Sequence, residues 1–253
     1  VADGPAAIAL SRGGARKTYP HSDPNEDAAA FALGEAAAWV AVADAHKGAA
    51  ASEAALEHLL ATRGATWTGA ALPSADAWRA AVLEALWETH QAVLRAAGRL
   101  HQPGSRTTLA LAVHHREAGR ILYASAGDSH VFRVAEEGTA DLAAPGHPCS
   151  PRYFLGSETL RREDLEERAV VGDVSAAGLG ALVLATDGVS ERGIGLSHPD
   201  REVEALASAI AADRPEAPAL DLARGLAERA NAAQRQRASG DNVAVAALWL
   251  AGR

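Results

Sequence analysis

Three apolar runs crowded between Thr107 and Val134 limit this fold more than anything else in the chain: "TTLALAVHH", "RILYASA" and "SHVFRV". The first two are joined by a turn at Glu117-Ala118-Gly119. Parallel strands need a crossover of a dozen or more residues, so a connection this short makes its strands antiparallel neighbours. A second hairpin signal, Gly34-Glu35, splits the apolar runs 28–33 and 36–43. Further strands are expected at 6–10 ("AAIAL"), at "ALVLATD" and at the closing "DNVAVAALWL".

Helical periodicity occupies what is left. A helix over 49–62 should stop at Gly64. The clearest one lies in "LPSADAWRAAVLEALWETHQAVLRAAG", where Trp78, Val82, Leu86, Thr89 and Val93 share a face, Ser74 can cap the start and Gly98 marks the end. Two more fit 199–213 (Val203, Leu206, Ile210) and 217–237 (Leu222, Leu226, Ala230). The order is strands, two helices, strands, two helices, strand, which is not the alternation of a parallel sheet. It defines an α+β fold in which helix pairs cover an antiparallel core. Without a repeat or a linker, residues 1–253 are expected to form a single domain. Residues 138–179, rich in Pro, Gly and charge, are expected to be its least regular part.

Composition narrows the role. Apolar residues make up 48% but aromatics only 4%, so small aliphatic side chains must build the core. A net charge of −8 disfavours nucleic-acid binding, which needs a basic face. The single cysteine, Cys149, excludes an internal disulfide and a multi-cysteine zinc site. No run reaches a membrane-spanning length, and "VADGPAAIALSRGG" lacks a signal-peptide pattern. A soluble cytoplasmic protein is expected, and a start without Met is expected of a processed or trimmed N-terminus.

The acids fall at strand ends. Asp44, Asp128 and Asp187 follow strands, and Asp27 and Asp241 begin them. In antiparallel sheets exits lie beside entrances, so all five can gather on one edge. Buried together without partners they would cost several kcal/mol each, roughly the penalty for an unpaired ion. A divalent cation removes that cost, and an all-oxygen set suits Mg²⁺ or Mn²⁺ rather than zinc. Taken singly, each Asp can instead be a turn cap. Five at strand termini shift the weight to a metal site.

"NEDAAAF", "VAVADAHKG", "SRTTLALAV", "ASAGDSHVFRV", "LVLATDGVSE" and "SGDNVAVAAL" resemble, in order, the motifs of type-2C metal-dependent protein phosphatases (the PPM family), of bacterial type. The resemblance spans residues 8 to 249. It implies a four-layer α-β-β-α sandwich, with two antiparallel sheets flanked by helix pairs. It implies two Mn²⁺ or Mg²⁺ ions at one end, with a third, weaker site. By motif position Asp44 would bridge both ions, and Asp187 and Asp241 would hold the first. Glu26, Asp27 and the carbonyl of Ala45 would hold the second, and Asp128 with Asp187 would lie near the third. The implied reaction is direct attack of a metal-bridging water on a phosphomonoester, with His46 placed to protonate the leaving alkoxide. No phosphoenzyme is implied, so Ser129 and Cys149 need not be nucleophiles.

Several positions depart from the family pattern. Ala45 and Lys47 stand where glycines are usual. An alanine keeps the carbonyl if its φ is negative; Lys47 either adds charge beside the acids or faces solvent. The register of the usual phosphate-binding arginine holds Ser22. Upstream of an apparent insertion, Arg16 or Lys17 is expected to take that work, Arg16 being favoured for its forked guanidinium. The flap-like region, about 141–170, matches poorly. Its Arg152, Arg161 and Arg162 either attract phosphorylated partners or form a solvated face in "LRREDLEER". His101, His114, His115 and His147 are read as surface or loop residues, and Trp78 and Trp87 as packing residues. The leading function is a protein serine/threonine phosphatase acting on a phosphorylated protein, opposite a Ser/Thr kinase. A small-molecule phosphatase and a phosphoprotein-binding pseudophosphatase are the alternatives.

Overall fold

Short antiparallel connections produce two sheets in the computed structural model, which describes residues 1–17, 25–143 and 153–250. One sheet runs β1 (Ala2–Asp3), β2 (Ala6–Ser11), β13 (Val243–Trp249), β12 (Leu179–Ala185), β9 (His130–Ala135), β10 (Gly138–Asp141). The other runs β11 (Val170–Ser175), β8 (Arg120–Ala126), β7 (Leu109–His115), β4 (Ala37–Ala43), β3 (Ala28–Leu33). The pairs β5 (Ala45–His46) and β6 (Arg106–Thr107) form a separate short ribbon.

Strand alternation sorts the side chains into three apolar layers. Trp39, Ala41 and Ala43 of β4 pack with Leu56 and Leu59 of α1 (Ala50–Trp67) and with Trp78 and Leu86 of α2 (Ala75–Arg99). Ala38, Val40 and Val42 face the other sheet, meeting Leu182, Leu184, Ala244 and Ala246. On that sheet's far side Ala181, Val183 and Val245 pack under α4 (Pro199–Asp213) and α5 (Pro218–Arg237) through Val203, Ile210, Leu222 and Leu226. The result is a four-layer α-β-β-α sandwich. Alanines recur in the inter-sheet layer, where small side chains let the sheets approach.

Helix ends follow capping chemistry, with one correction. Ser74 caps α2 by accepting from the Ala77 amide, and Pro199 and Pro218 open α4 and α5. The stop expected at Gly64 is not used: α1 continues to Trp67. Trp67 is 8% exposed and packs edge-on against Trp78, with ring centroids 5.4 Å apart. Burying so large a side chain is worth about 1.5–3 kcal/mol or more, against about 1 kcal/mol for an interior Gly.

The stretch read as irregular is more ordered than expected. It contains β10, a short helix α3 (Arg162–Arg168) and β11, which pairs with β8 over six residues. Arg162 of α3 contacts Glu84 of α2 and Glu166, and Arg161 is exposed. His115 is also corrected: it is 4% exposed, because it shares the face of β7 on which Leu109, Leu111 and Val113 pack beneath the helices. Ser22, His147, Cys149 and Arg152 lie outside the described residues. No described helix is long and apolar enough to cross a membrane.

Candidate metal centre

Strand termini from both sheets deliver the acids to one place. Asp44 follows β4, Asp128 sits between β8 and β9, and Asp187 opens a 3-10 turn after β12. Two glycines permit the approach. A Cβ on Gly188 would lie 1.8 Å from the Asn242 carbonyl oxygen, so only glycine lets the Asp187 turn rest against Asp241-Asn242. Gly127 has φ +116°, and a Cβ there would meet Thr108 Cβ at 2.6 Å.

Two overlapping groups of carboxylates result. Asp44, Asp128 and Asp187 offer oxygens that all lie within 4.8 Å of one another, and so do Asp187, Glu191 and Asp241. Asp187 is common to both. Crowding and burial act on protonation as electrostatics requires. Burial, then the carboxylates of Asp27, Asp187 and Asp241, hold the Asp44 carboxyl well above its ordinary range. Asp187 is likewise held well above it, by burial and then by Asp128 and Asp241. Burial raises Asp128, and burial followed by Asp241 pushes Glu191 to about 7.

The other acids are held by the chain itself. Glu26 Oε1 accepts from the Gly48 amide at 2.5 Å, and Oε2 faces Lys17 Nζ at 3.5 Å. Asp27 Oδ2 accepts from the Thr186 hydroxyl at 2.7 Å, and burial, partly offset by that bond, pushes its pKa to about 7. Neither belongs to the two carboxylate groups. Ala45, 2% exposed in β5, takes an ordinary negative φ, the condition under which alanine keeps the carbonyl direction.

His46 Nδ1 lies 3.8 Å from Asp44 Oδ1, and its ring meets Phe154 edge-on at 5.2 Å. Burial, then Arg106, lowers its pKa. Of the two basic candidates, Lys17 projects inward: its side chain is 4% exposed, and Nζ lies 2.8 Å from Asp241 Oδ1. Arg16 is exposed, its carbonyl accepting from the Gly240 amide. Lys47 is exposed in a left-handed conformation, φ 64°.

Sequence reasoning passed over two features. Glu191 lies inside the quoted "LVLATDGVSE"; its signal is the four-residue spacing from Asp187, across a turn closed by the Glu191 amide on the Asp187 carbonyl. His130 bridges Asp141 Oδ2 at 2.6 Å and Ser190 Oγ at 2.5 Å, tying β9 and β10 to that same turn. No sequence spacing announces it.

The donors suit hard cations. All the clustered ligands are oxygens, and Asp128 Oδ1 and Glu191 Oε2 are buried without a hydrogen-bond partner among the described residues, as is His46 Nδ1. The orphaned carboxylate oxygens fit a hard divalent cation.

The architecture is that of solved serine/threonine phosphatases. Stp1 from Staphylococcus aureus superposes with a TM-score of 0.71 at 16% identity, covering 98% of this chain and 95% of that one. A phosphatase 2C from Toxoplasma gondii gives 0.71 at 14%, covering 96% and 94%. The same fold recurs in PppA, described as a key regulatory component of T6SS in Pseudomonas aeruginosa, which gives 0.63 at 16%, covering 97% of each. At these identities the likeness is one of fold. A sequence search of curated proteins gives no match. The sequence profile described as Protein phosphatase 2C, however, matches residues 14–227. The chain belongs to the protein phosphatase 2C family.

Proposed function

We propose that this protein is a Mn²⁺- or Mg²⁺-dependent phosphomonoester hydrolase, acting on phosphoserine and phosphothreonine in proteins as a cytoplasmic signalling enzyme opposite a Ser/Thr kinase. The observation that carries the reading is the pair of carboxylate groups sharing Asp187, with orphaned oxygens, inside a phosphatase 2C fold. Two fold neighbours are serine/threonine phosphatases by name, which supports the protein-substrate part.

In this reading Asp44 would serve two ions, and Asp187 and Asp241 would hold the first of them. Asp27 and the Ala45 carbonyl, with Glu26 beside them, would serve the second, and Asp128 with Asp187 a weaker third. When bound, divalent cations supply an activated water and neutralise charge on the phosphoryl oxygens. The chain's own residues do the rest. Thr186 fixes the Asp27 carboxylate, and the Gly48 amide fixes Glu26. His46, half-exposed beside Asp44, hands a proton to the leaving oxygen. Lys17, whose ammonium already lies among the acids, meets a phosphoryl oxygen in preference to Arg16.

Phosphate release from phosphoserine and phosphothreonine peptides, compared with phosphorylated metabolites in the presence of Mn²⁺, tests the reading. Turnover of peptides well above metabolites is expected. The reverse order would make this a small-molecule phosphatase, and peptide binding without turnover a pseudophosphatase.

A further inference from the structure

Lys17 is an unusual neighbour for a cation site. Its ammonium is buried, 2.8 Å from Asp241 Oδ1 and 3.5 Å from Glu26 Oε2. Asp241 is assigned to one ion and Glu26 to the surroundings of the other, so Lys17 lies between the two halves of the centre. Asp241 Oδ1 also accepts the Asn242 amide at 2.8 Å, so that oxygen is engaged by the chain. The position is built: the Gly240 amide bonds the Arg16 carbonyl, and the Gly14 amide bonds Gln234 Oε1 at 2.7 Å, fixing the approach to α5.

We propose that Lys17 is a resident counter-cation of the acid cluster, one that stabilises the metal-free protein and weakens divalent-cation binding. The argument is one of charge. The centre gathers carboxylates that repel when ionised, and a tethered ammonium relieves part of that repulsion before any metal arrives. An incoming dication finds an Asp241 oxygen already engaged and a positive charge a few ångströms away. Cation affinity is therefore set below what the carboxylates alone would give. The inference rests on the metal-dependent reading above, and it is separate from any contact Lys17 makes with phosphate.

Calorimetric titration of Mn²⁺ into the full chain tests it, comparing wild type with Lys17→Gln, which keeps a polar side chain and removes the charge. Lys47→Gln serves as a control for a nearby exposed lysine. Lys17→Gln should bind Mn²⁺ on the order of tenfold more tightly, within the usual range of coupling between two sites. Lys47→Gln should change affinity little. In chelator Lys17→Gln should melt several degrees below wild type, and saturating Mn²⁺ should close that gap. If Lys17→Gln does not fold, Lys17→Met replaces it in the same titration; a chain that folds only with Mn²⁺ present supports the proposal. Affinity equal to or weaker than wild type overturns it while leaving the metal reading intact. Failure of both wild type and Lys17→Gln to bind Mn²⁺ overturns both.

Discussion

The Thr186 hydroxyl donates to Asp27 Oδ2 at 2.7 Å and accepts the Ala244 amide at 2.9 Å. It thereby ties the exit of β12 to the entrance of β3, strands of different sheets. Thr186→Val keeps the shape and removes both bonds. It should destabilise the protein by about 1.5–3 kcal/mol, the range for a hydrogen bond to a charged group. Urea unfolding measures this; an unchanged midpoint would show that the tie carries no load.

The acids should not be equivalent. Asp44 is proposed to serve both ions, so Asp44→Asn should reduce hydrolysis by about 10³-fold or more and weaken all cation binding. Asp128→Asn should keep two ions bound and lower the rate by about 10–100-fold. Calorimetry on both variants decides the order. An Asp128→Asn protein that loses the pair of ions would reverse these assignments.

Lys47 holds φ 64° without being a glycine. A left-handed residue costs about 1–2 kcal/mol, and glycine's extra freedom in the unfolded chain returns about 0.4–1 kcal/mol of that. Lys47→Gly should therefore stabilise the fold by up to about 1 kcal/mol, read as a raised melting temperature. A lower melting temperature would mean that the lysine side chain contributes contacts of its own.

Two buried histidines make stability fall in acid. Burial lowers the pKa of His90 and of His115, and His90 Nδ1 accepts the Gly156 amide at 3.0 Å, which requires a neutral ring nitrogen there. The unfolded chain then takes up protons first. Their contribution is complete above the unfolded value of about 6.5 and is lost as pH falls through it toward the lower folded value. Between pH 7.5 and 5.5, His90→Gln should lose less stability than wild type. Equal slopes would remove His90 from the explanation.

The strands and the acids at their ends were legible because period-two alternation and turn residues are local signals. Trp78, Val82, Leu86 and Val93 were legible as one helix face for the same reason. What could not be read was set by contacts distant in sequence. Gly64 stays helical because Trp67 reaches Trp39 and Trp78. His115 is buried because it continues the Leu109-Leu111-Val113 face of β7, which packs beneath the helices. The chemistry of the guanidinium favours Arg16 over Lys17, but the direction of each side chain depends on how their segment meets Asp241 and Gly240, more than 200 residues away.

The most direct test is hydrolysis of an aryl phosphate by chelator-stripped protein, before and after Mn²⁺ is restored. The acid cluster as described requires almost no turnover in the stripped protein and recovery at millimolar-range Mn²⁺ or Mg²⁺, since all-oxygen sites of this kind hold such ions loosely. Full turnover without metal would contradict it.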